Sequence, residues 1–141
     1  MEIEFTPIET ESWYPREIFH YFTKIAPITY SITSKVDVTN MIKTIKERKL
    51  KFFPSFLWLS TTIFNEMDEF RIGFKDDKLG LYKILTPFYP TFHTSSHSIS
   101  MLWLEYSPSL QEFHSAYLKN QEQFGDSKGF LGIPNKTPPL N

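Results

Sequence analysis

Cysteine is absent from this 141-residue chain, which excludes disulfide staples, thiolate metal ligands and a cysteine nucleophile together. A dominant charge is absent too. Fifteen lysines and arginines stand against sixteen aspartates and glutamates, for a formal charge of -1. No long-range field is available to gather phosphates, and a nucleic-acid partner is not expected. No long apolar run occurs either. The longest, residues 52–64, is interrupted by Pro54, Ser55, Ser60, Thr61 and Thr62 and is too short to span a bilayer. The N-terminus alternates acidic and apolar residues, Glu2-Ile3-Glu4-Phe5, where a secretory signal needs a basic stretch and then an apolar one. The expectation is a cytoplasmic protein with no membrane partner and one compact domain.

The short catalytic motifs are missing as well. There is no glycine-rich phosphate loop, no Gly-x-Ser-x-Gly elbow and no histidine pair at metal-ligand spacing on a helix. His93 and His97 are four apart, but the β-rich or loop context around Thr94-Ser95-Ser96 does not put them on one face, so no metal site is expected. His20 and His114 fall on helix faces among aromatic neighbours, where histidine more often packs than reacts.

What the chain has in excess is aromatic side chains, 17% of its residues. Trp13, Tyr14, Phe19, Tyr21, Phe22, Phe88, Tyr89, Phe92 and Trp103 could line a pocket for a flat ligand. They could equally fill the space between a sheet and its helices.

The apolar periodicity changes several times along the chain. Residues 1–5 read as a strand. Ser12 and Pro15 mark a helix start, Ile18, Phe19, Tyr21, Phe22 and Ile25 follow at helical spacing, and Pro27 stops the run. From Tyr30 to Val38 the residues alternate, predicting a half-buried strand. Thr39 or Asn40 can cap a surface helix through Met41, Ile42 and Ile45. Pro54 opens a helix that is apolar nearly all round and is expected to be central and buried. Residues 70–74 and 79–85 flank Lys75-Asp76-Asp77-Lys78 like the arms of a hairpin. Residues 88–93 and 99–104 lean to strand, and a helix runs from about Ser107-Pro108 to Phe124. Residues 125–141 are rich in glycine, proline and polar residues, and nothing in 133–141 suits a helix or central strand. The expected organisation is a domain over 1–124 with a loop or tail over 125–141. Its fold class is α/β, a two-layer sandwich with a mixed β-sheet.

The order of these segments resembles one family. Trp13, Arg16-Glu17-x-Phe19 and Tyr21-Phe22 are similar to the first helix of chloramphenicol acetyltransferases. In family order follow Tyr30-Ser-Ile-Thr33, Val36-Asp37-Val38-Thr39, Lys51-Phe52-Phe53-Pro54, Glu69-Phe70-Arg71, Leu79-Gly80-Leu81-Tyr82, Thr91-Phe92-His93 and Ser100-Met101-Leu102-Trp103-Leu104-Glu105-Tyr106. The resemblance implies a CoA-dependent acyltransferase-like fold. It also implies O-acetyl transfer from acetyl-CoA, as co-substrate and not a bound cofactor, to chloramphenicol or a similar small acceptor. Such enzymes are trimers with the active site between subunits. Carried over by position, the acceptor pocket would use Tyr21, Phe22, Ala26, Pro90, Phe92 and Ile99. Phe22 lacks the hydroxyl common there, and Ile99 replaces a common aromatic. Arg16 and Arg71 are given structural roles, although the family's arginine stands two residues after the tryptophan, where this chain has Pro15.

The resemblance also implies a truncated, incomplete chain that ends before the family's oxyanion serine and its His-His-x-x-x-Asp-Gly box. No catalytic residue is therefore assigned. On this reading the polypeptide alone is inactive. The alternative is a non-catalytic remnant or small-ligand-binding fragment.

Overall fold

The computed structural model describes residues 4–134 and 136. Among the described residues ten strands and helices, with one helix continued by a wider turn, run in the order β1 (Phe5–Pro7), α1 (Arg16–His20), α2 (Thr39–Glu47), α3 (Phe52–Asn65), α4 (Asp68–Arg71), β2 (Ile72–Lys75), β3 (Lys78–Tyr82), β4 (Phe88–His93), β5 (Ser98–Trp103) and α5 (Leu110–Phe124). The architecture mixes helix and sheet, as expected of an α/β protein. Where a single mixed sheet is expected, the described strands form two antiparallel sheets, β1-β3-β2 and β4-β5. One isolated parallel bridge, Met101 to Leu131, extends the second.

The β2-β3 hairpin follows from its turn chemistry. Asp76 and Asp77 both adopt positive φ, 50° and 61°, the left-handed pair that a two-residue hairpin turn requires and that aspartate tolerates. The preceding residues differ from expectation, because Phe70 and Arg71 belong to α4 and the strand starts at Ile72.

The first helix begins as expected near Pro15, but Ser12 is not its cap. The Ser12 hydroxyl donates to the Glu9 carbonyl at 3.2 Å. After His20 the helix widens into a π-turn over Tyr21–Ile25, closed where Ala26 N–H donates to the Tyr21 carbonyl at 2.8 Å. Likewise neither Thr39 nor Asn40 caps α2. Asp37 Oδ1 accepts from Thr39 N–H at 2.9 Å, and those hydrogen bonds hold the Asp37 carboxyl below its ordinary pKa.

The strand expected over residues 30–38 does not form. Residues 27–38 carry no ladder, and Tyr30, Ile32 and Val36 are all strongly exposed. Alternation marks a chain able to bury one face, but a strand exists only where a neighbour satisfies its backbone. None of the described residues pairs with this segment in a sheet.

The core lies between α5 and the inner face of β4-β5. It contains Tyr89, Leu102, Trp103, Leu104, Phe113 and Ile133, with Leu57, Trp58, Tyr117 and Phe124 packed against it. Residues 133 and 134 form neither helix nor strand, yet Ile133 packs. Met101 N–H donates to Phe130 O at 2.7 Å and Gly132 N–H to Met101 O at 3.0 Å, and these bonds deliver Ile133 into the core at 5% exposure. Residues 135 and 137–141 lie outside the described set.

The central helix is covered on one side only, where burial on all sides is expected. Leu57 and Trp58 of α3 pack against the core and Pro54, Ser55 and Thr61 are buried, while Phe52, Phe56, Leu59 and Ile63 are exposed. Burying hydroxyls is tolerable because each is satisfied by its own helix. Ser55 donates to Lys51 O at 2.8 Å and Thr61 to Leu57 O at 2.7 Å.

Helix α5 is tied to α3 by a histidine. His114 is buried, and its Nε2 accepts from Lys51 N–H, just before α3, at 2.9 Å. Burial first, and the Lys51 charge second, hold its pKa below the ordinary histidine value. Folding therefore favours the neutral ring. This contribution is complete above about pH 6.5, the ordinary value, and is lost as pH falls through the lower folded-state pKa. Urea unfolding at pH 7.5 and 5.5 is expected to show a lower stability at the lower pH, by no more than about 1.4 kcal/mol, the limit that linkage sets one pH unit below the ordinary histidine value. The loss should be absent in His114→Gln, and an equal loss in that variant would refute the assignment.

Candidate functional site

Three of the six residues expected to line an acceptor pocket share one surface. In the β4-β5 register Phe92 faces Ile99, Pro90 faces Met101 and Phe88 faces Trp103. Strand alternation puts Phe88, Pro90, Phe92, Ile99 and Met101 on one face and Tyr89, Thr91 and His93 on the other, with Ser100 and Leu102, while Trp103 at the end of β5 is buried with the core. The first face is open at Phe88, Pro90, Phe92 and Ile99. It is an apolar plate suited to a flat, uncharged group.

The other three lie elsewhere. Tyr21 and Phe22 pack edge to face at 5.1 Å in the π-turn, both substantially exposed, with Ala26 closing the turn. No extensive packing joins this turn to β4 or β5. The six residues thus fall into two groups, one on the β4-β5 hairpin and one in the π-turn.

An open groove of about 640 Å³ lies between the first helix and the β2-β3 hairpin, with Trp13, Arg16, Phe19, His20, Phe74 and Lys78 in its wall. None of the six expected acceptor residues lines it. Trp13 meets Phe19 at 5.4 Å, and Phe19 meets Phe74 at 6.1 Å. Arg16 pairs with the Glu11 carboxylate at 2.6 Å and donates to the Glu11 carbonyl at 3.3 Å. Arg71 pairs with Asp68 and donates to the carbonyls of Tyr82 and Lys83 at 3.2 and 2.9 Å. It fastens α4 to the end of β3.

Two of the four histidines are engaged inside the structure. His114 is held by Lys51 N–H. His97 sits at the β4-β5 turn with φ 49°. His93 Nε2 hydrogen-bonds Ser100 Oγ, a pair that sequence reasoning missed although strand alternation sets both on the inner face. It is not a nucleophile and base. Ser100 is fully buried, out of reach of a substrate, and its hydroxyl also lies 3.2 Å from the Ser127 carbonyl. Beside it, Tyr89 donates to Asn120 Oδ1 at 3.0 Å, and Asn120 donates to Trp103 O at 3.1 Å. Burial, above all, raises the Tyr89 pKa far beyond the ordinary phenol, so its hydroxyl stays protonated as a fixed donor.

A family model described as chloramphenicol acetyltransferase matches residues 3–139. The chain belongs to the chloramphenicol acetyltransferase family. Among curated chloramphenicol acetyltransferases, that of Vibrio anguillarum is 34% identical over 140 residues, covering 99% of this chain and 62% of the relative. That of Campylobacter coli is 32% identical over 140 residues, covering 99% of this chain and 65% of the relative. The chain thus spans less than two thirds of the length of these relatives. A solved chloramphenicol acetyltransferase superposes with a TM-score of 0.79 at 21% identity, over 89% of this chain and 59% of the other, a likeness of fold. Among the described residues no helix is long and apolar enough to cross a membrane.

Proposed function

We propose that this chain carries part of the acceptor side of a CoA-dependent acyltransferase-like sandwich. The reaction is transfer of acetyl from acetyl-CoA to a hydroxyl of chloramphenicol or a similar small acceptor, in a cytoplasmic trimer. The observation that carries the reading is the exposed plate of Pro90, Phe92 and Ile99 in a chain of this family. In the reaction the acceptor oxygen attacks the thioester carbonyl carbon, the C–S bond breaks, and the hydroxyl proton ends on the departing thiolate. A base must take that proton during attack, and a donor must meet the new charge on oxygen.

We further propose that the 141-residue polypeptide alone does not perform this step. His93 and His114 are committed inward, and His20 lies on the groove wall. The same commitment favours a second reading, a fragment that binds a small aryl ligand without reacting.

Two measurements test this. Mixed with acetyl-CoA and chloramphenicol, the purified chain is expected to release no thiol above a buffer blank, and clear turnover would overturn the claim of inactivity. In a chloramphenicol titration followed by amide NMR, shifts are expected to centre on Phe92 and Ile99 and to be lost in Phe92→Ala. No shift at millimolar ligand would overturn the acceptor reading.

A further inference from the structure

The core-facing side of α5 is interrupted by two amides. Phe113, Tyr117 and Phe124 of this helix belong to the core or pack against it, and at about 100° per residue Asn120 and Gln121 fall on the same side. Both are half-buried, where an apolar residue would lose no hydration. Their side chains are directed at the sheet. Asn120 accepts from the Tyr89 hydroxyl at 3.0 Å and donates to Trp103 O at 3.1 Å, while Gln121 Nε2 donates to Thr91 Oγ1 at 3.0 Å. Tyr89 and Thr91 are successive inward residues of β4, and the next, His93, is paired with Ser100 of β5.

What these bonds fix is sideways placement. The sheet that bears the plate has two strands and one isolated bridge to Leu131, too little to hold its own shape firmly. Apolar contact between helix and sheet is non-directional and tolerates sliding, whereas a hydrogen bond confines its partners to a narrow range of distance and angle. Thr91 stands between Pro90 and Phe92 in the chain, and Phe92 is the register partner of Ile99. A setting imposed on Thr91 from the inner face therefore passes through the backbone to the apolar plate on the outer face.

We propose that Gln121 is a positioning residue for the acceptor plate. It touches no ligand itself, and through Thr91 it sets where Pro90, Phe92 and Ile99 stand. For its effect on binding, though not for its effect on the hairpin, the proposal rests on the acceptor reading given above.

The test compares the 141-residue chain with Gln121→Leu, Gln121→Glu and Thr91→Val. Leucine is close to glutamine in helix propensity and suits the core-facing stripe, so the urea midpoint should change little. Glutamate restores the tie, because its carboxylate accepts from the Thr91 hydroxyl. Methyl relaxation NMR is expected to show a lower order parameter at the Ile99 methyls in Gln121→Leu and in Thr91→Val, and the original value in Gln121→Glu. Chloramphenicol titrated against the same samples should bind about fivefold more weakly to the first two, the scale of one hydrogen bond, and with the original affinity to the third. Unchanged Ile99 order in Gln121→Leu, or a fall that Gln121→Glu does not restore, overturns the proposal. So does an affinity that ignores Gln121→Leu, or a variant that loses urea stability and nothing else, the mark of packing alone. If the unsubstituted chain binds no chloramphenicol while the Ile99 pattern appears, the positioning of the hairpin stands and the acceptor reading fails.

Discussion

Replacing Phe113 by alanine is expected to cost about 3–5 kcal/mol, the range for a fully buried aromatic truncated in a core that cannot collapse. Phe113 has no exposed surface and belongs to the cluster in which α5 meets β4-β5. The side chains that could move into the void are themselves held. Tyr89 is tied through Asn120 to Trp103 O, and Ile133 is placed by the backbone bonds around Met101. Chemical denaturation should show the full loss. A cost below about 1 kcal/mol, the range of ordinary surface changes and mild repacking, would mean that this cluster is not the organising core.

The second large effect is expected at Gly80. A Cβ there would stand 2.5 Å from the Thr6 carbonyl oxygen and 2.3 Å from the Phe5 ring. A side-chain tip could swing away, but a carbonyl in a ladder cannot do so without moving its strand. Gly80→Ala is therefore expected to detach β1 from β3. Hydrogen exchange should detect this as lost protection at Ile8 and Lys83, whose N–H groups donate to Leu79 O and Glu4 O at 3.0 Å. The β4-β5 hairpin belongs to the other sheet and should keep its protection. Unchanged exchange at both amides would show that β1 yields without separating.

The parts of the fold that were legible in the sequence are those whose causes are local. The Lys75-Lys78 turn carries its own left-handed aspartates, and α5 is announced by its periodicity and capped by Ser109, whose Oγ accepts from Glu112 N–H at 3.3 Å. Pro90, Phe92 and Ile99 are grouped by the resemblance, and the β4-β5 register puts them on one face. Where the cause is distant, sequence reading failed. Residues 30–38 have the pattern of a strand but no partner among the described residues. The direction in which α3 faces was hidden because Ser55 and Thr61 look polar in sequence yet are satisfied from within. Ile133 was hidden by the prolines and polar residues around it, since one well-placed apolar side chain is enough to plug a core. Tyr21, Phe22 and Ala26 were grouped with the hairpin residues by resemblance alone, and local pattern says nothing of the distance between a π-turn and a strand.

The His114 ring sets where the chain gives way in acid. To take up a proton it must surrender the lone pair that receives Lys51 N–H, and its burial already disfavours the charged form. Acid should therefore loosen the joint between the two long helices, α3 and α5, before a general unfolding sets in.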